Sequence, residues 1–366
     1  MKLFENILYQ EDVSCTAEAK FPWEKLQDRS VLISGASGLI GSFLIDVLMY
    51  RNSRYDMRCR VYALGRDEEK AKHRFSCYQD SEWFAFIPWD INELLVREDM
   101  GTVDYVLHLA SNTHPVAYAT DPIGTITTNI IGTNHMLTFA TEHNSTRMLF
   151  ASSNEIYGEN RGDAEKFDES YCGYIDCNTA RAGYPESKRC GEALCQAYIQ
   201  QKKLDAVIAR LTRSYGPTMQ MSDTKAISQF IRKGIAGEDI VLKSAGTQYY
   251  SYTYVSDAVL GLLTVLLCGV CGEAYNIADE KSDIMLKDLA AIVAKEAGRK
   301  VVFEQPDAVE SAGYSRATKA RLESGKLKAL GWQAKYDIES GIVRTMRVLK
   351  NGNRYGNVNK DIEENT

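Results

Sequence analysis

The most regular feature of the chain is a set of short runs in which apolar residues follow one another with little alternation. They are RSVLIS from Arg29, RVYAL at Arg60–Leu64, Trp83–Ile87, VDYVLHLA at Val103–Ala110, RMLFAS at Arg147–Ser152 and DAVIARL at Asp205–Leu211. A strand covered on both faces has this near-continuous apolar character, so the runs predict buried strands. The stretches between them are long enough for helices, and Ser42–Tyr50, Asn129–His143 and Tyr184–Gln200 carry a helical pattern. Strands alternating with helices imply right-handed crossovers, so the expected fold is α/β, a doubly wound parallel sheet. Beyond about Pro217 the alternation turns irregular, with a helical piece at Lys225–Ala236, an aromatic run at Tyr249–Tyr254 and a helix-like stretch at Ala317–Leu330. A smaller C-terminal α/β lobe is expected there. Ala258–Val270 is strongly apolar, but it falls short of the roughly 20 residues that cross a bilayer and reads as a buried helix.

Composition narrows the choice of partners more than the choice of fold. With 366 residues, 45% hydrophobic, 25% charged and only seven prolines, the chain has the make-up of a globular protein of two lobes. A net charge of −6 leaves no basic field for a polyanion, which argues against nucleic acid while permitting small anions held by local dipoles. The N-terminal arm, residues 1–29, carries Leu3, Phe4, Ile7, Leu8 and Trp23 and reads as a cap folded back on the body. Charged and polar residues interrupt it before a secretory core can build up, so a cytoplasmic chain without membrane contact is expected. Nine cysteines in no regular framework read as reduced thiols. Cys268 and Cys271 form a CxxC with no second pair, and His108 and His114 stand alone, so no metal site is expected. Residues 351–366 read as a frayed polar tail.

Gly35, Gly38 and Gly41 form GxxGxxG between the first strand and its helix. In that context the first glycine permits a tight turn, the second lets backbone approach a pyrophosphate, and the third lets helix and strand pack closely. Gly35, Ser37, Gly38, Leu39, Ile40 and Gly41 are therefore expected to hold a dinucleotide, with Ile91, Leu109 and Ala110 completing its walls. Residues 30–217 then form the dinucleotide-binding (Rossmann) domain, with a return near 252–280, and 218–350 the substrate lobe. Where a carboxylate at the end of the second strand would accept from the ribose 2′-hydroxyl, the chain has Gly65, then Arg66 and Asp67. A guanidinium there favours a 2′-phosphate and hence NADP; Asp67 reaching the ribose favours NAD. Asp90 is placed to accept from an adenine amino group, or simply to end the third strand.

Tyr184 and Lys188 lie four apart at the start of a helix, on one face, where an ammonium can lower the phenol's pKa and hold a ribose hydroxyl. A tyrosinate is a competent base for a sugar hydroxyl while hydride leaves the same carbon. Ser152 and Ser153 end a central strand, at the edge where open α/β sheets bind ligands.

With these blocks in place, the chain resembles the extended short-chain dehydrogenase/reductases of the NAD-dependent epimerase/dehydratase family, and within it the UDP-glucuronate decarboxylases and sugar-nucleotide 4,6-dehydratases. The resemblance runs from about Ser30 to Lys350 and rests on GASGLIG at Gly35, HLAS at His108, DPIGTITTNIIGT at Asp121, SSNEIYG at Ser152, RAGYPESKRCGE at Arg181, RLTRSYGPTM at Arg210 and LKALGW at Leu327. The block at Arg181 is nearest the decarboxylase pattern. The resemblance implies Ser153 as hydroxyl partner, Tyr184 as base, Lys188 as anchor of ribose and tyrosine, and Glu155 as a carboxylate acting near C5 and C6. It places Tyr118, Asn154 and Arg181 against the substrate, and it pairs the helices at Asn129–His143 and Tyr184–Gln200 across a homodimer. Asn154 stands where 4,6-dehydratases carry an acidic aspartate, which disfavours ordinary dehydration. The family pattern also has asparagine at Arg213 and arginine at Tyr250, both of which help hold the substrate's diphosphate. Either Arg213 supplies the displaced cation or the substrate is not a standard UDP-sugar.

The implied activity is modification of a nucleotide sugar through a 4-keto intermediate, with a tightly bound NAD or NADP that is regenerated in each turnover. Decarboxylation of a UDP-glucuronate-like substrate is the leading form. The alternatives are 4-epimerisation, 4,6-dehydration, a simple NADPH-dependent ketoreductase, and a dinucleotide-binding regulator without chemistry.

Overall fold

The computed structural model describes residues 3–113, 115–306, 314 and 317–363; His114 lies outside the described residues. In chain order the strands are β1 (Ser30–Ser34), β2 (Arg60–Gly65), β3 (Phe84–Pro88), β4 (Tyr105–His108), β5 (Arg147–Ser153), β6 (Ala206–Leu211), β7 (Arg213–Tyr215), β8 (Ile240–Leu242), β9 (Tyr249–Tyr254), β10 (Ala274–Ile277), β11 (Asp283–Met285), β12 (Val301–Phe303) and β13 (Lys319–Ala320). The helices are α1 (Ile7–Ala17), α2 (Leu39–Tyr55), α3 (Glu68–Arg74), α4 (Pro115–Thr120), α5 (Pro122–Glu142), α6 (Gly183–Lys202), α7 (Ala226–Ala236), α8 (Val255–Cys268) and α9 (Leu286–Ala297), and a closing helix spans Ile338–Glu363.

Seven strands form a parallel sheet in the order β10-β6-β5-β4-β1-β2-β3. Each of the six apolar runs supplies one of these strands, and β4 and most of β5 are buried, as a sheet covered on both faces requires. The order reverses between β1 and β4, which opens a crevice at the C-terminal strand ends. After α7 and β9 the chain returns to this sheet through α8, most of whose residues are buried, and β10. The smaller lobe is built on β9, which lies between antiparallel β11 and parallel β13 and pairs parallel with β7 further along. Among the described residues no helix is long and apolar enough to cross a membrane.

Two sequence expectations are corrected here. Ala317–Leu330 is not one helix: β13 pairs with β9, Ala320, Leu322 and Ser324 are buried at the alternating spacing of extended chain, and only Gly325–Lys328 is helical. The stretch read as a frayed tail continues the closing helix to Glu363. That helix is anchored by Ile338, Ile342 and Met346, buried at i, i+4 spacing, and helix propagates more easily than it starts.

The N-terminal arm folds back as α1 against α2 and α8. Two buried carboxylates anchor it. Asp46 of α2 accepts from the Tyr9 hydroxyl, from Arg74 and, at 3.2 Å, from the Tyr78 hydroxyl. Asp12 accepts from the hydroxyls of Tyr254 at 2.6 Å and Tyr336 at 2.9 Å, and from Arg344 Nε at 2.5 Å. Burial raises both carboxyls above the usual range, and in each case the paired arginine pulls the other way.

Candidate active site

The turn after β1 is built for close approach. Gly35 has φ +71°, and a Cβ there would lie 2.8 Å from the Ala110 nitrogen. At Gly41 a Cβ would lie 2.5 Å from the Gly35 carbonyl oxygen. Gly38 begins α2 with no side-chain cap, so the first-turn N–H groups are left for an anion. This cradle suits the pyrophosphate of a dinucleotide.

The turn opens into a cleft of about 1100 Å³ that crosses the C-terminal strand ends and reaches the smaller lobe. Gly35, Ser37, Gly38, Leu39, Ile40, Gly41, Arg66, Asp67, Ile91, Leu109 and Ala110 line one end; Tyr118, Ser153, Asn154, Glu155, Arg181, Tyr184 and Lys188 the middle; Arg213 and Tyr250 the far side. Asp90 does not line it: its Oδ1 accepts from the Asn92 backbone N–H at 2.9 Å and amide at 3.0 Å, which is the strand-ending role. Trp89, Asn92, Lys70, Thr113 and Lys225 also line the cleft and were not singled out from the sequence. Lys70 alone carried a readable signal, one helical turn beyond Arg66.

In the middle of the cleft the Tyr184 ring stacks on Tyr118, with centroids 4.7 Å apart and planes at 24°. The hydroxyls of Ser153 and Tyr118 lie close enough to the Tyr184 phenol to favour its charged form. Ser153 Oγ also accepts the Glu155 N–H at 3.2 Å, and the Glu155 carboxylate takes Arg181 at 2.6 Å. Arg181 in turn lies 4.7 Å over the Tyr118 ring. The two serines therefore diverge. Ser152 Oγ donates to Glu192 at 2.6 Å, and Arg210 holds the same carboxylate with two nitrogens at 3.0 and 2.8 Å.

Lys188, one turn after Tyr184, donates to the Ala151 carbonyl at 2.9 Å. Burial pushes its ammonium down to about 7 against the opposing charge of Glu192. The phenol is corrected relative to the sequence expectation. Burial pushes Tyr184 up to about 12, Ser153 and Tyr118 pull it down, and the charges acting on it are Glu155 and Arg181. Lys188 is not among the groups that shift it most, and its Nζ donates to the Ala151 carbonyl. His108 is a core residue, bonded to Ser34 Oγ at 2.8 Å and Thr133 Oγ1 at 3.1 Å and pushed down to about 3 by burial.

A nucleotide-binding α/β sheet with a serine at a strand end and a tyrosine and a lysine one turn apart on the following helix defines a class: the extended short-chain dehydrogenase/reductases, nicotinamide-dependent enzymes. The model of the NAD dependent epimerase/dehydratase family matches residues 31–278, and the chain belongs to that family. It is 31% identical over 328 residues to UDP-glucuronic acid decarboxylase 1 of Danio rerio, covering 90% of this chain and 74% of the relative. With UDP-glucuronic acid decarboxylase 3 of Arabidopsis thaliana it shares 31% identity over 315 residues, 85% of this chain and 86% of the other. Among solved structures, a dTDP-glucose 4,6-dehydratase of Streptomyces venezuelae with NAD bound superposes at a TM-score of 0.77 with 22% identity, covering 89% of this chain and 98% of that one. A UDP-glucuronic acid 4-epimerase of Bacillus cereus, in complex with UDP-glucuronic acid and NAD, does so at 0.74 with 21% identity over 88% and 99%. These solved structures share the fold.

Proposed function

We propose that the enzyme decarboxylates a UDP-glucuronate-like nucleotide sugar through a 4-keto intermediate. The observation that carries this reading is the Glu155–Arg181 pair beside Ser153 and Tyr184, together with about 30% identity to UDP-glucuronic acid decarboxylases over most of the chain. Bound nicotinamide supplies the acceptor, and later the donor, of hydride at C4. Tyr184, relayed by Ser153, takes the C4 hydroxyl proton. The resulting 4-ketone makes the C6 carboxylate a β-keto acid: the C5–C6 bond breaks, carbon dioxide leaves, and the electron pair passes to C5 as an enolate. Glu155 manages the proton returned to C5, and Arg181 holds it in place. Incubation with UDP-glucuronate tests the reading, since a UDP-pentose and carbon dioxide are expected. A product of unchanged mass would mean epimerisation, and loss of water would mean dehydration.

The cofactor is NADP in this reading. Arg66 and Lys70 line the adenosine end with no ion-pair partner among the described residues, and Gly65 leaves no carboxylate at the strand end. Asp67 is occupied as the cap of α3, accepting the Lys70 N–H at 2.9 Å. Arg66→Ala is expected to weaken NADP binding about 10- to 100-fold, the worth of a charge-assisted hydrogen bond, with little change for NAD. Fluorescence titration of both dinucleotides reads it; an equal loss would remove the NADP assignment. Ile123, Ile126 and Ile131, exposed along α5, offer an apolar face for a second copy of the chain.

A further inference from the structure

A second, smaller cavity of about 50 Å³ lies behind the reacting centre. Asn154, Glu155 and Arg181 line both it and the main cleft, so the Glu155–Arg181 pair stands between the two. Glu155 sits in a short helical turn, Asn154–Tyr157, that follows β5. The turn ends at Gly158, whose φ of +69° brings the chain so near Tyr174 that a Cβ would lie 2.3 Å from the Tyr174 carbonyl oxygen. Glu159 donates its N–H to that same carbonyl at 2.8 Å, which fixes it in the far wall of the cavity, four residues beyond Glu155. Among the described residues the Glu159 carboxylate has no hydrogen-bond or ion-pair partner. Tyr174, 48% exposed, carries the cavity to the surface, and Ala320, buried on β13, closes it from the smaller lobe.

Decarboxylation consumes a proton. The sugar carboxylate leaves as carbon dioxide, C5 keeps the electron pair and must gain a hydrogen, and hydride returns only to C4. A nucleotide sugar in the main cleft fills the space on that side of Glu155, whereas the rear cavity keeps its contact with solvent. It is polar and roomy enough for water, with a carboxylate at either end to hold it. We propose that the rear cavity is the proton inlet of the enzyme: Glu159 takes a proton from solvent and passes it through water to Glu155, which delivers it to C5 of the enolate. Each transfer breaks one O–H bond as the next bond forms, so Glu159, the water and Glu155 end a turnover as they began, with one solvent proton fixed in the new C5–H bond. Glu155 is the catalytic residue of this route, and Glu159 is a positioning residue that acts through it. The use of the inlet rests on the decarboxylase reading above; its place behind Glu155 stands on the geometry.

The test is rapid mixing of the cofactor-loaded enzyme with UDP-glucuronate, and separately with UDP-glucose, in deuterium oxide. Absorbance of the reduced nicotinamide follows hydride out of C4 and back, and mass spectrometry reads carbon dioxide and the deuterium fixed at C5. In Glu159→Gln the first hydride transfer is expected within about twofold of wild type. Return of the hydride waits on the proton at C5 and is expected to slow about 10²-fold, the lower end of what positioned proton transfer is worth. Unchanged return of hydride overturns the inlet and leaves the decarboxylase reading standing. Equal slowing of both hydride transfers, the mark of a packing defect, does the same. Wild type that releases no carbon dioxide but exchanges the C5 hydrogen of UDP-glucose for deuterium, and does so more slowly in Glu159→Gln, keeps the inlet and overturns the decarboxylase reading. Neither carbon dioxide nor exchange from wild type overturns both. Should Glu159→Gln fail to fold, Ala320→Leu, which narrows the same cavity, decides on the same readings.

Discussion

Tyr184→Phe is expected to lower turnover about 10²–10⁴-fold, the usual worth of a positioned general acid–base, with cofactor affinity and melting temperature staying near wild type. The loss is confined to chemistry because the ring keeps its stack on Tyr118 and only the hydroxyl beside Ser153 is removed. The pH profile separates this from a packing defect. The competent pair, phenolate plus ammonium, carries one proton fewer than the fully protonated site. Burial holds Tyr184 at about 12 and Lys188 at about 7, so wild-type kcat/KM rises through the lower value. In the variant that rising limb disappears. Single-turnover absorbance of the reduced nicotinamide with UDP-glucuronate reads both effects, and a near-normal rate would remove Tyr184 from its role.

Arg74→Met is expected to destabilise the fold by about 3–5 kcal/mol, the range for breaking a buried ion pair by removing one partner. Asp46 is fully buried and would keep only the Tyr9 and Tyr78 hydroxyls. Its carboxyl is already raised by burial, with Arg74 opposing, so the substitution raises it further. A group whose folded pKa lies above its unfolded one contributes stability at low pH and loses it as pH rises through the folded value. The variant should therefore melt highest in mildly acid buffer and fall toward neutrality more steeply than wild type. Thermal melts across pH check this; equal melting temperatures at neutral pH would mean that Asp46 carries no charge in the wild type.

Much of this was legible in the chain. The runs at Ser30, Arg60 and Arg147 became strands because a strand buried on both faces has no polar face to interrupt it. The spacing of Tyr184 and Lys188 placed them one turn apart on α6. Contacts between distant elements were not legible. No local pattern shows that Asp12 meets Tyr254, Tyr336 and Arg344, or that Ser152 turns to Glu192 while Ser153 turns to Tyr184. The phenol's upward shift depends on burial, which spacing alone does not report. Ala317–Leu330 was misread because its apolar residues suit a helix in isolation, whereas pairing with β9 draws its first part out as extended chain.

The N-terminal arm bears on how ligands enter. Tyr9 and Asp12 are three residues apart on α1; one is bonded to the dinucleotide-binding domain through Asp46, the other to the smaller lobe through Tyr254. A hinge motion that spread the lobes would have to pull a fully buried carboxylate from its donors. Cofactor and sugar should therefore pass by rearrangement of rim loops over a stationary frame, and liganded and ligand-free crystals should superpose lobe for lobe.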